Sequence, residues 1–383
     1  MKKRKIALIL CTAPHIGGGH QYALLVAESL VKDLDLQNEL VAICSNSFWN
    51  KWCRENGIRV LEERIPDLTI KEKNYNIRFP FFAKIYNMYM TPMGRLIRRE
   101  RIDLLFSTQQ GVFIPNYFTK IVVPVHDLMH RYETRFPEVK AEYEQREVLM
   151  RSHARYATGI LVDSKLGKKQ FEESYIEKKT KTPRIIPLPF VVPQHIYECR
   201  EELVDVPDKY VFYPAQFWKH KNHINLVKAM EILKDRIADI HLVLVGSEKN
   251  CCSKIKRYIK DKSLEDNITF LGFVSDEKIT YLYKHAIGMI MPSYFGPTNI
   301  PPLEAMALGC PVAVSNKYAM PEQVGKAGLL FNPDSPEEIA DCIEQLWLNS
   351  KLRETLRKRG YKQIERWTPK DFENKIVRIV KNI

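Results

Sequence analysis

Short runs of apolar and β-branched residues alternate with amphipathic stretches along nearly the whole chain. Runs at 5–11, 39–44, 58–61, 103–107, 121–125, 159–163 and 184–187 predict strands. They are near-continuously apolar, as expected of strands covered on both faces. The pattern restarts at 210–215, 240–245, 268–271, 287–291, 311–314 and 328–331. Helical patterns fill the intervals. Ala23, Ala27, Leu30, Val31 and Leu34 share one face of the first. Ser335-Pro336-Glu337-Glu338 reads as a helix start, with an N-cap Ser, Pro at the first helical position and Glu to close a capping box. Strands that alternate with helices imply parallel sheets with helices on both faces.

Pro187, Pro189, Pro193 and Pro207 interrupt the alternation, so the fold class expected is α/β, with two Rossmann-like doubly wound domains facing each other across a cleft. The boundaries read from the pattern are a first domain over 1–190, a Pro-rich linker over 191–207, a second domain over 208–365 and a closing helix over 366–383. A length of 383 residues suits two domains of ordinary size. In such folds ligands sit beyond the carboxyl ends of the strands, so residues just after strands are where chemistry is sought.

Composition narrows the class. An apolar fraction of 45% and a charged fraction of 27% belong to a globular protein and exclude disordered or collagen-like chains. Lys2 to Lys5 followed by an apolar run imitate the start of a secretory signal, but the run is short and leads into Gly17-Gly18-Gly19, so it reads as a first buried strand. No stretch is long and apolar enough to span a bilayer. The eight cysteines are scattered without CxxC or metal-type spacing, which points to a reducing cytosol. A formal charge of +13 favours an anionic partner, although no nucleic-acid module is recognisable.

Four segments carry chemistry. In Met291-Pro-Ser-Tyr-Phe-Gly-Pro-Thr-Asn-Ile-Pro-Pro-Leu-Glu-Ala-Met-Ala-Leu-Gly-Cys-Pro-Val312, a strand runs through a loop into a helix opened by Pro301 and Pro302. Backbone amides of Asn299, Ile300 and Leu303 at that helix start suit a diphosphate, and Glu304 suits the two hydroxyls of a ribose. For an isolated Glu, simple complementation of the helix dipole is the competing explanation. Lys221 ends the loop after the first strand of the second domain, before Asn222 as an expected N-cap. His126 and Asp127 leave a strand of the first domain; a lone His is more often structural. Gly17, Gly18 and Gly19 form half of a dinucleotide fingerprint with no third glycine in register, and a simple tight turn competes with a phosphate loop.

The segment from Met291 to Val312 resembles the donor-site signature of glycosyltransferase family 4, retaining enzymes of the GT-B fold that use nucleotide sugars. The likeness is strong from Tyr210 to Asn349 and loosest from Phe48 to Arg101. It implies that Glu304 holds the nucleotide ribose, that Thr298, Asn299 and Ile300 lie along the diphosphate and sugar, and that Lys221 neutralises the diphosphate. It also implies that the base is received near Phe273 and Val274, that His126 positions the donor sugar, and that Gly18 and Gly19 bring amides close to the phosphate and acceptor. The segment Arg366 to Phe372 resembles the terminal GT-B helix that returns to the first domain. Two departures stand out: Gly296 occupies the place of an earlier glutamate, and Gln216 the place of an arginine, with Lys219 or His220 as substitutes for its charge.

The resemblance implies transfer of a hexose-type sugar from a UDP- or GDP-sugar to a hydroxyl of a glycan or lipid-linked glycan. Configuration is kept and the leaving phosphate assists the acceptor's deprotonation. Neither metal nor further cofactor is expected, and bacterial surface polysaccharide assembly on the cytoplasmic side is the expected setting. A catalytically inactive nucleotide- or glycan-binding partner and a GT-B nucleotide-sugar epimerase are the alternatives. The stretch 79–101 mixes aromatic, aliphatic and basic residues and fits two arrangements: an interfacial helix meeting an anionic membrane, or a buried helix with a basic solvent face.

Overall fold

A computed structural model describes all residues except 1–3, 15–16, 33–37, 62–68, 114, 116, 118, 177–182 and 297–298. Every apolar run forms its strand, with ends shifted by a residue or two. The strands are β1 (Arg4–Leu10), β2 (Asn38–Cys44), β3 (Arg59–Val60), β4 (Leu104–Ser107), β5 (Lys120–Val125), β6 (Gly159–Val162) and β7 (Arg184–Pro187). The second set is β8 (Val211–Pro214), β9 (Leu242–Val245), β10 (Ile268–Gly272), β11 (Gly288–Met291), β12 (Val312–Ser315) and β13 (Gly328–Phe331).

The strands build two sheets in which every pairing is parallel, ordered β3-β2-β1-β4-β5-β6-β7 and β10-β9-β8-β11-β12-β13. In the first, Ile6 pairs with Leu40 on one side and Leu104 on the other. Strand order therefore reverses between β1 and β4, and again between β8 and β11. Connections leaving such a pair diverge to opposite faces and leave a crevice at the strand ends. The central strands are buried on both faces (Ala7, Leu8 and Leu10 in one sheet, Val211, Phe212 and Val243 in the other), as their unbroken apolar runs require.

The chain forms two units, Met1–Pro189 with Lys370–Ile383, and Phe190–Pro369. Residues 191–207 place Val192, Ile196 and Val204 in the core of the second unit. The terminal helix Pro369–Asn382 buries Phe372, Ile376, Ile379 and Val380. It is held to the first unit where Arg4 Nη1 donates to Val380 O and Arg184 Nη1 to Asn382 O, each at 2.6 Å.

Helix α1 (Gly18–Lys32) buries Ala23, Ala27 and Leu30 as the pattern predicts and adds Tyr22 and Val26; Val31 is half-buried and Leu34 lies outside the described residues. Helix α2 (Ser47–Glu55) is capped by Asn46. Helices α3 (Ile70–Arg78), α4 (Pro80–Tyr89) and α5 (Pro92–Glu100) follow. In the stretch 79–101 the arrangement of a buried helix with a basic solvent face holds for α5, which buries Met93, Leu96 and Ile97 beneath exposed arginines, and not for α4. Only Ala83, Asn87 and Met88 of α4 are buried, and its aromatic side chains face outward. At Ser335 the side chain accepts from Glu338 N–H at 3.1 Å, while Glu338 reaches Asn332 N–H, so the cap forms without the reciprocal half of the box. All eight cysteines are free thiols. Among the described residues no helix is long and apolar enough to cross a membrane.

Candidate active site

In the second unit the predicted donor residues gather at the β8/β11 switch point. The loop after β8 carries Gln216, Lys219, His220 and Lys221, and the loop after β11 carries Tyr294 to Asn299. Tyr294 N–H donates to His220 O at 2.9 Å, and the His220 ring stacks on Phe295 at 3.9 Å. Asn222 locks the first loop. It is buried, with a left-handed φ of 60°, and its Nδ2 donates to Pro292 O at 3.1 Å and Pro333 O at 2.7 Å. Asn222 thus occupies the N-cap position, but its side chain ties neighbouring loops together and makes no cap bond. Tyr213 Oη donates to Lys221 O at 2.9 Å, which fixes the backbone from which the half-buried Lys221 projects. Gln216 Oε1 accepts from Trp218 Nε1 at 2.9 Å, so the residue in place of the expected arginine braces its own loop.

Glu304 lies in the helix Pro301–Ala307 and is buried. Tyr283 Oη, from the helix Asp276–His285, donates to its Oε2 at 2.9 Å. Desolvation pushes the Glu304 carboxyl up to about 7, with the Tyr283 bond opposing and the Asp276 charge adding. A carboxyl so placed is poised to accept further hydroxyls, which a surface Glu serving only the helix dipole is not.

The amide cradle is smaller than the sequence suggests. Asn299 N–H donates to Gln323 Oε1 at 2.9 Å, and Gln323 Nε2 returns a bond to Asn299 O at 2.5 Å. Leu303 N–H donates to Ile300 O at 2.8 Å, closing a first turn in which Pro301 and Pro302 have no N–H. Of the three expected amides, only that of Ile300 has no hydrogen bond to another of the described residues. Thr298 lies outside the described residues. After β10, the Phe273 ring is 86% exposed and Val274 half-buried, beyond Gly272 at φ 67°. Gly246 N–H donates to Gly272 O at 2.8 Å, and a Cβ on Gly246 meets Ala215 O at 2.2 Å, so the loops after β8, β9 and β10 close on one another.

In the first unit, Gly18 and Gly19 open α1 after Gly17, whose φ is 72°. As the first residues of a 15-residue helix their amides have no intrahelical acceptor. His126, at the end of β5, lies edge-on to Tyr22 at 4.6 Å. Desolvation holds its imidazole down at about 4 against the opposing charge of Asp127, so it is neutral at pH 7. Gln110 Oε1 accepts from His126 N–H at 2.5 Å and Asp127 N–H at 3.2 Å. Asp127 Oδ1 accepts from Met129 N–H at 2.9 Å and Arg146 Nη1 at 2.8 Å, bonds that tie down the turn after β5. His130 is structural: its Nε2 is 3.2 Å from Glu147 Oε1 and 2.9 Å from Tyr175 Oη. Among the described residues no cluster of three or more His, Cys, Asp and Glu is arranged to hold a metal ion.

Sequence reasoning missed Tyr283, Gln323 and Gln110. Tyr283 reads as one more apolar position of its helix, and the glutamines stand outside every recognisable signature. Only the post-strand position of Gln110 hinted at a role.

Known proteins resemble the chain in the sequence of the second unit and in the fold of both units. The profile of the family "Glycosyl transferases group 1" matches residues 198–363, nearly all of the second unit. Escherichia coli O-antigen chain mannosyltransferase B is 31% identical over 160 residues, covering 42% of each chain. Salmonella typhimurium O-antigen chain mannosyltransferase RfbU is 28% identical, over 36% of this chain and 38% of its own. The match thus spans less than half the length of either relative. Bacillus subtilis spore coat protein SA is 23% identical over 82% of this chain and 86% of its own. Among solved structures, sucrose-phosphate synthase of Thermosynechococcus elongatus superimposes with a TM-score of 0.73 at 17% identity, covering 99% of both chains. Anabaena HepE in complex with UDP and glucose gives 0.70 at 16%, covering 99% of this chain and 100% of its own. At such identity these two likenesses are of fold.

The chain as a whole shares the two-domain GT-B fold of these structures. Its second unit carries the glycosyl transferases group 1 domain.

Proposed function

We propose that this chain transfers a hexose, mannose in the first instance, from a nucleotide-diphosphate donor to a hydroxyl of a glycan or lipid-linked glycan, with retention of configuration. The setting is surface polysaccharide assembly at the cytoplasmic face of a membrane. The observation that carries this reading is the buried Glu304–Tyr283 pair beside the Lys221 loop at the β8/β11 switch point. The likeness of the second unit to O-antigen mannosyltransferases supports mannose as the sugar.

In this reading Glu304 takes the ribose hydroxyls, Phe273 and Val274 flank the base, and the diphosphate lies against Lys221, Thr298 and the Ile300 amide. Negative charge growing on the departing diphosphate meets the ammonium of Lys221, whose backbone is held by Tyr213, as an electrostatic contribution. In the first unit, the family resemblance assigns amide contacts to Gly18 and Gly19 and a positioning role by hydrogen bonding to His126, which is neutral at pH 7 and adds no cation. The leaving phosphate takes the acceptor proton, so neither a protein nucleophile nor a metal is called for.

Thermal unfolding with UDP, GDP, CDP and dTDP, for the native chain and Lys221→Ala, tests it. One nucleotide at a hundredfold its dissociation constant adds about 2.7 kcal/mol of stability, and the variant loses most of that gain. The matching nucleotide sugar should then be turned over. Stabilisation without turnover on any hexose donor turns the reading toward an inactive partner, and no stabilisation by any nucleotide sinks the donor site.

A further inference from the structure

Helix α4 has its apolar face outward. At 3.6 residues per turn, Phe81, Phe82, Ile85, Tyr86, Tyr89 and Met90 cover one half of its circumference, and Ala83, Asn87 and Met88 lie on the other half, against the protein. Phe81 is 69% exposed, Phe82 64% and Met90 63%. A solvent-facing half-helix without one charged residue is the reverse of an ordinary surface helix.

The surroundings of this stripe carry one sign of charge. From Lys73 to Arg99 the chain has six basic residues and no acidic one. At one end the Arg78 guanidinium lies 5.5 Å from the Phe79 ring. At the other, Arg98 stacks over Tyr89 at 4.3 Å and Arg95 Nη1 donates to Met90 O at 2.8 Å. Helix α5 buries Met93, Leu96 and Ile97 and turns Arg95, Arg98 and Arg99 to solvent. Glu100 is shared by Arg59 at 2.6 Å, Lys5 at 3.5 Å and Arg99 at 3.7 Å, so it offsets one arginine of the cationic rim only in part.

We propose that the outer face of α4, rimmed by Arg78, Arg95, Arg98 and Arg99, docks in the plane of an anionic phospholipid bilayer. A ten-residue helix is too short to cross a bilayer, but its aromatic half can sink to the boundary of headgroup and acyl chain while the arginines meet lipid phosphates. A second copy of the chain is a poorer occupant, because self-pairing sets the arginines against their own counterparts. That the docking serves a lipid-linked acceptor rests on the transferase reading above; the docking itself rests on this geometry alone.

Co-sedimentation of the full chain with vesicles, at about 0.15 M salt, tests it. Vesicles of phosphatidylcholine mixed with phosphatidylglycerol are compared with phosphatidylcholine alone. The native chain sediments with the mixed vesicles and only weakly with the neutral ones. Phe81→Ser with Phe82→Ser lowers partitioning about tenfold or more, and Arg95→Glu with Arg98→Glu removes the preference for anionic lipid. All four side chains are exposed, and unchanged melting of each variant shows that the fold is kept. No sedimentation of the native chain with mixed vesicles overturns the assignment. So does equal sedimentation of both variants, or a dimer in sedimentation velocity that the serine variant dissolves. Nucleotide stabilisation and turnover of a water-soluble acceptor are unmoved in these variants, which separates failure here from failure of the transferase reading.

Discussion

At the scale of single residues, Glu304 shows how burial prepares a carboxyl for one task. An acid whose folded pKa stands above its ordinary value keeps a proton that the unfolded chain has already released. For Glu304 that window runs from about 4.5 to about 7. Stability is fully present below the window and falls as pH rises through it, by at most about 3 kcal/mol. In Glu304→Gln this component of the fall disappears, which urea midpoints at pH values on either side of the window will show. Tyr283→Phe acts in the opposite sense. It removes the hydrogen bond that holds the carboxyl down, so a carbon-13 NMR titration should find Glu304 above its native value. An unchanged titration in that variant means the pair does not couple as drawn. Little of this was legible in advance. The family resemblance around Glu304 proposes it as a donor contact, but nothing in Tyr281 to His285 distinguishes the hydroxyl that meets it from an ordinary core tyrosine.

At the scale of elements, the strands were legible because burial on both faces leaves an unbroken apolar run, and the Pro and Gly punctuation between them is strong. The loops were not, since their conformation is set by partners far along the chain. Asn222 is the instructive residue. Read locally it is an N-cap; in the fold its backbone is left-handed and its amide ties together the loops after β8, β11 and β13. Asn222→Ala loses the bonds to Pro292 O and Pro333 O and places an alanine in a region that costs it about 1–2 kcal/mol. With the lost bonds, a destabilisation of about 2–4 kcal/mol is expected in chemical denaturation. Asn222→Gly should recover the backbone part only. Equal losses in the two variants mean the backbone conformation carries no cost here, and the loop carrying Lys221 is then held by other contacts. The stretch 79–101 was illegible for a different reason. Its pattern suits a buried or an interfacial helix equally, and only the packing of Ala83, Asn87 and Met88 shows which half of α4 meets the protein.

At the scale of the whole molecule, a single restart of the strand pattern foretold two parallel sheets, and Pro187 to Pro207 marked where the restart falls. How the chain is shared between the units depends on side-chain burial that no periodicity reveals, as Val192, Ile196 and Val204 in the second core show. The closing segment makes the sharing testable. Lys370–Ile383 belongs to the first unit, although the 180 residues before it belong to the second. Its Phe372, Ile376, Ile379 and Val380 are buried, and full burial of each such side chain is worth roughly 1.5–3 kcal/mol. Removing 370–383 strips that surface and the bonds from Arg4 and Arg184 to Val380 O and Asn382 O. Hydrogen exchange should then accelerate across β1 and β7 while β8 to β13 keep their protection, because none of the second core's buried residues is lost. Two melting transitions are expected, with the earlier one shifted down and the later one held. Loss of protection in both sheets together means the units unfold as one cooperative body, and the terminal helix then stabilises more than the sheet it covers.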